Sequence, residues 1–144
     1  MKEGRGDVSK ILVGYDGSEQ ANRALSFAIE IAAQNDEAEI HIAFVVKKPG
    51  GVIDPVPDEV LESLRRIGEE TLSNAERRMK KDFARPVTHL ETGNPGEKLL
   101  ELADRLKPDL VVLGTLKHST SDRLLGTVSS VFIRARRYPL LIVP

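Results

Sequence analysis

The chain has 144 residues, 40% of them hydrophobic, and a formal net charge of −1. That length suits one domain with a real core, and the near-neutral balance supplies no global field toward nucleic acid or an anionic surface. It contains no cysteine, which excludes disulfides, thiolate metal sites and a cysteine nucleophile.

Along the chain, the first ten residues, MKEGRGDVSK, lack the apolar centre of a signal peptide, and residues 1–8 are expected to be a flexible lead. No apolar run reaches the ~20 residues of a membrane span. Four Phe, two Tyr and no Trp make a poor stacking platform for single-stranded nucleic acid. A cytoplasmic protein without nucleic-acid or membrane partners is expected, as a single domain over residues 1–144.

Lys10 to Tyr15, KILVGY, reads as a short buried strand closed by the turn residues Asp16, Gly17 and Ser18. Ser18 is an N-cap for a helix whose Ala21, Leu25, Ala28, Ile29 and Ala32 recur at helical spacing. Glu39 to Val46 is a second strand. Residues 47–57 hold three prolines and two glycines and read as a loop. A long helix is expected from Asp58 to about Lys81, with Val60, Leu64, Ile67, Thr71, Ala75 and Met79 as its inward stripe and a charge order that suits the helix dipole.

Pro86 to Glu91 is a third strand. Asn94 caps the next helix, Pro95 takes its first position, and Glu97 completes a capping box; Leu99, Ala103 and Leu106 form the apolar face. Asp109 to Leu113 is the fourth strand, Gly126 to Arg137 the fourth helix with Val128, Val131, Phe132 and Ala135 inward, and Leu140 to Val143 a last strand. Alternating strands and helices with apolar strands predict an α/β fold, a three-layer sandwich with a five-stranded parallel sheet. The usual order for five such strands is 3-2-1-4-5.

Such sheets bind ligands beyond the carboxyl ends of the strands, where strand order reverses. Here that is the crevice between the first and fourth strands, which end at Asp16 and Gly114. Asp16 reads either as an acceptor for a ribose hydroxyl, base amine or metal ion, or as an ordinary turn residue. Gly114 and Gly126 read as phosphate-loop glycines or as turn glycines. Thr127, Ser129 and Ser130 are hydroxyl donors at a helix start or plain first-turn residues. The segment GNPGEK at 93–98 lacks a GK-Ser/Thr ending, and capping accounts for it. His41, His89 and His118 have no metal-ligand spacing. Arg134, Arg136 and Arg137 suit a helix C-terminus. No Ser-His-Asp order or paired carboxylates stand out.

The blocks KILVGYDGSEQANRAL, ETGNPGEKLLELADRLKPDLVVLG and LLGTVSSVFIRARRYPLLIVP together resemble the universal stress protein family over about Ser9 to Pro144. The resemblance implies an adenine nucleotide alpha hydrolase-like fold and homodimers joined through the last strand, Leu140 to Val143. In the family's ATP-binding branch the pattern is G-x2-G-x9-G-[ST]. Gly114 matches its first glycine, Gly126 its last and Thr127 the Ser/Thr, with Thr115, Val128 and Ser129 beside them. Asp16 matches the adenosine-contacting aspartate, Gly14 and Tyr15 precede it, and Val45 matches a position lining the adenine pocket.

Two departures stand out. The second glycine is Lys117, and eight residues rather than nine separate it from Gly126. A side chain there restrains the backbone from closing on phosphates, whereas the ammonium group supplies a point charge for them.

The implied function is a dimeric stress-response protein binding ATP, alone or with Mg or Mn, or a related adenine nucleotide as a regulatory ligand. With no base or arginine finger identified, hydrolysis is expected to be slow at most. Two alternatives remain: a protein-interaction dimer of the same fold that binds no nucleotide, and a phosphotransferase or hydrolase using Asp16 with a metal.

Overall fold

A computed structural model describes residues 8–47, 56–79, 86–115 and 126–144. The chain order is β1 (Lys10–Gly14), α1 (Glu19–Ala32), β2 (Glu39–Val46), α2 (Asp58–Met79), β3 (Pro86–Thr92), α3 (Pro95–Leu106), β4 (Leu110–Gly114), α4 (Gly126–Ala135) and β5 (Leu140–Val143). The sheet order is β3-β2-β1-β4-β5, and every adjacent pair is parallel. The expected α/β fold and strand order are those observed.

Side-chain alternation along each strand divides the core between two faces. Ile11, Val13, Ile40, Ile42 and Val112 pack with α1 and α2 residues such as Leu25, Ala28, Leu72 and Met79. Leu12, Ala43, Val111 and Leu113 pack with Leu99, Leu102 and Ala103 of α3 and Phe132 of α4. Both faces of β1 and β4 are covered, which is why those strands read as uninterrupted apolar runs. At their amino ends Asp109 joins them: its Oδ2 accepts from Ser9 N (3.0 Å), Ser9 Oγ (3.0 Å) and Lys10 N (2.9 Å). Strands β1 and β4 are thereby held in register below the site that their carboxyl ends create.

The caps act as expected. Ser18 Oγ accepts from Ala21 N at 3.1 Å, and Asn94 Oδ1 accepts from Glu97 N at 3.0 Å with Pro95 opening α3.

Several sequence expectations are corrected. Strand β1 ends at Gly14 rather than Tyr15, β3 runs on to Thr92, β4 covers Leu110–Gly114, and α4 stops at Ala135, where Arg136 takes a left-handed φ of 55° that no helix continues. The last described residue of α2 is Met79; Lys80 and Lys81 lie outside the described residues.

The larger correction concerns which face of α2 is inward. Ala75 and Met79 of the expected stripe are buried, joined by Gly68 and Leu72, while Val60 and Ile67 of that stripe are 43% and 57% exposed. Gly68 explains the rotation: a Cβ there would lie 2.8 Å from Leu90 Cδ1 and 3.0 Å from Phe44 Cδ1. The bare backbone lets α2 settle onto β2 and β3 through this face, where a larger apolar residue would hold it off.

Candidate functional site

The strand-order reversal places the carboxyl ends of β1 and β4 side by side. A cavity of about 260 Å³ opens there. One side is apolar: Ala43 and Val45 from β2, with Pro95 and Leu99 from the first turns of α3. Gly14, Tyr15 and Asp16 form the floor at the end of β1, and Gly114 and Thr115 that at the end of β4. The far side is the start of α4, with Gly126, Val128 and Ser129. Adjacent strands are ~4.8 Å apart, so the floor from β2 to β4 spans about 10 Å. A planar apolar group fits against the β2 side, and an anion fits at the α4 side, where the first helical N–H groups have no intrahelical acceptor.

Each local geometry has a cause in the chain. Gly126 opens α4 with φ 70°, a left-handed conformation that costs a Cβ-bearing residue about 1–2 kcal/mol. Gly114 has a different reason for being glycine. A Cβ there would come within 2.7–2.9 Å of the Gln20 backbone and Cβ, so the residue is required by the close packing of α1 on β4. Asp16 is exposed and its Oδ1 accepts from Ser18 N at 2.9 Å, a turn that leads into the α1 cap. The Tyr15 ring belongs to the core beneath α1 and α2, and its hydroxyl donates to Asn22 Oδ1 on α1. Burial raises the Tyr15 pKa above its ordinary value, with Asp16 adding to the effect and Arg78 opposing it. Ser129 is 2% exposed, and Ser130 Oγ donates back to Gly126 O at 2.8 Å, closing the first turn of α4.

The sequence-derived residues Gly14, Tyr15, Asp16, Val45, Gly114, Thr115, Gly126, Val128 and Ser129 thus meet around one cavity. Thr127 lies in the first turn of α4. Lys117 and His118 lie outside the described residues. Sequence reasoning missed Ser18, Ala21, Ala43, Pro95, Leu99 and Leu113 as lining residues. The Pro95–Leu99 pair carried a signal: an i,i+4 apolar couple in the first turn of a helix that begins at the carboxyl edge of the sheet. Ala43 carried none, because a small strand residue reads the same whether it packs against a helix or faces a ligand. Among the described residues the cavity is lined by no Lys or Arg, and no group of three metal-ligating side chains is present.

A second cluster lies away from this cavity. His41 and His89, far apart in sequence, meet across the β2–β3 pairing: His41 Nδ1 is 2.8 Å from His89 Nε2, and His41 Nε2 is 3.0 Å from Glu39 Oε1. The rings are stacked with centroids 5.1 Å apart. The neutral assignment that satisfies both contacts has His89 Nε2–H donating to His41 Nδ1 and His41 Nε2–H donating to Glu39. Burial, reinforced by His41, lowers the His89 pKa below its ordinary value against the pull of Glu91.

Comparison with known proteins agrees with the architecture. The sequence profile of the Universal stress protein family matches residues 8–144. Universal stress protein MJ0531 of Methanocaldococcus jannaschii is 29% identical over 147 residues, covering 99% of this chain and 86% of that one. A solved universal stress protein in complex with cAMP is 32% identical, with a TM-score of 0.71 over 96% of this chain and 98% of that one. Universal stress protein UspA from Lactobacillus plantarum shares the fold with a TM-score of 0.80 at 23% identity, covering 95% and 98% of the two chains. The profile spans both the β1 end and the α4 start that frame the cavity, and the chain belongs to the universal stress protein family.

Proposed function

We propose that the cavity binds an adenine nucleotide, ATP or a related compound, as a regulatory ligand in the cytoplasm. The observation that carries this reading is the cavity's polarity along the strand-order reversal: Ala43, Val45 and Leu99 at one side, and the opening turn of α4 at the other. The base lies against the apolar side. The phosphate meets the free amides of Thr127, Val128 and Ser129, made approachable by Gly126 at φ 70°. Asp16 accepts from a ribose hydroxyl through the oxygen not engaged by Ser18. The cAMP complex of a relative 32% identical supports an adenine nucleotide as the ligand class. Asp16 alone is too sparse a donor set to hold Mg or Mn, so a metal would enter with the nucleotide phosphates.

Mass spectrometry of small molecules released from the purified protein is the first test, followed by calorimetric titration with ATP with and without magnesium, AMP and cAMP. Gly126→Val abolishes binding, and Lys117→Ala weakens it about 10- to 150-fold, the range for one charge-assisted contact. Unchanged affinity in both variants overturns the assignment.

A second reading, a protein-interaction dimer that binds no nucleotide, draws support from the lack of a Lys or Arg among the described lining residues. It predicts no released nucleotide and no heat on titration. In either reading the chain dimerises through β5 (Leu140–Val143), which among the described residues pairs only with β4 and leaves an apolar edge for a second copy.

A further inference from the structure

Helix α2 carries two apolar stripes, and the sheet uses one. At 100° per residue, the buried Gly68, Leu72, Ala75 and Met79 cluster about one direction. Val60 and Ile67, 43% and 57% exposed, lie about 100° round the helix from it, with half-buried Leu64 between. No residue from Asp58 to Ile67 is buried. The 3-4 spacing of Val60, Leu64 and Ile67 is that of a coiled-coil seam.

We propose that this second stripe is the contact by which α2 pairs antiparallel with α2 of a second copy. Val60 and Ile67 are seven residues apart, so a two-fold axis beside residues 63 and 64 sets Val60 of one copy against Ile67 of the other, and the converse. The open flank of the stripe carries Glu59, Ser63 and Arg66, all exposed. In an antiparallel pair that flank meets itself reversed, which brings Glu59 of each copy to Arg66 of its partner. Ser63, whose hydroxyl is turned back to Glu59 O at 3.0 Å, presents a small surface at the axis and lets the helices approach. The stripe is therefore self-complementary in shape and in charge, which is what an isologous contact requires. Three apolar side chains per copy bury less than the ~1,200 Å² of a standard interface, so the contact is weak alone; because α2 packs on β2 and β3, at the end of the sheet away from β5, it joins β5-paired dimers to one another.

The chain has no cysteine, so disulfide trapping is clean. Oxidising Val60→Cys/Ile67→Cys yields a covalent dimer whose linked peptides join position 60 of one copy to position 67 of the other. Glu69→Cys, exposed on the far side of α2, forms no covalent dimer under the same oxidation. Sedimentation of uncross-linked protein supplies the second readout. Glu59→Arg and Arg66→Glu each weaken association through α2 about tenfold, the loss of two symmetry-related exposed ion pairs, and the double reversal restores it. Links of 60 to 60 or 67 to 67, equal trapping of the Glu69→Cys control, no trapping, or failure of the double reversal to restore association each overturn the proposal.

Discussion

Tyr138 and His89 report their environments through pH. Tyr138 O–H donates to Asp104 Oδ1 at 2.6 Å, and Arg137 Nη1 donates to Asp104 Oδ2 at 2.6 Å. Burial, with the Asp104 carboxylate added to it, pushes the Tyr138 pKa up to about 12. The same contact, followed by Arg137, holds Asp104 below the usual carboxylate range. Between pH 10 and 12 the unfolded chain loses the phenolic proton while the folded one keeps it, so stability falls as pH rises through that window. Absorbance titration at 295 nm will show tyrosine ionisation delayed beyond pH 10, and Tyr138→Phe will flatten the alkaline loss of stability.

His89 gives the opposite limb. Its depressed pKa means that below about 6.5 the unfolded state binds a proton that the folded state refuses. Stability therefore declines as pH falls through that region and levels off below the folded pKa. Urea midpoints measured from pH 8 to pH 5 should show this decline reduced in His89→Gln. A decline of equal size in the variant would assign it to other groups.

At the scale of elements, helix ends and helix faces obey different rules. The ends follow local chemistry. Ser18 caps α1 through Ala21 N, and Ser18→Ala should cost about 1 kcal/mol in urea unfolding. Lys107 closes α3 in a left-handed conformation, φ 51°, which glycine adopts without the Cβ penalty; Lys107→Gly should return about 0.5–1 kcal/mol. The N-caps at Ser18 and Asn94 were legible because each is made by residues within three or four positions of one another; the end at Lys107 was not read from the sequence.

The inward face of α2 was legible at Ala75 and Met79 but not in its first half, because two stripes share one helix and periodicity alone does not rank them. Gly68 decided it, through contacts with Phe44 and Leu90 on strands distant in sequence. The same division holds for the two histidines: nothing in their spacing joins residues 41 and 89, and the β2–β3 register does, by setting His89 opposite Ala43 and within reach of His41.

For the whole molecule, the sheet order determines both the site and the free edges. Because β1 and β4 are neighbours at the reversal, their carboxyl ends diverge into separate connections and a cavity opens between them. Among the described residues β5 pairs with β4 alone, and its other edge is the surface through which dimerisation is proposed. Ile142→Lys, placing a charge on that edge, should convert a dimer to a monomer by light scattering at micromolar concentration; an unchanged mass would remove β5 from the interface.

By itself the sequence determined the order of strands and helices, the N-caps of α1 and α3 and the positions of Gly114 and Gly126, since each rests on period, propensity or a hydrogen bond within a few residues. It also placed Asp16 and Gly114 at facing strand ends, because strand order in an open parallel sheet is narrowly constrained. Tertiary structure alone decided why Gly114 is glycine, which stripe of α2 is inward, that His41 and His89 share a hydrogen bond, and that Ala43, Pro95 and Leu99 line the cavity. Each of those depends on how closely two distant segments approach, a distance set by the side-chain volumes of both together and written in neither one.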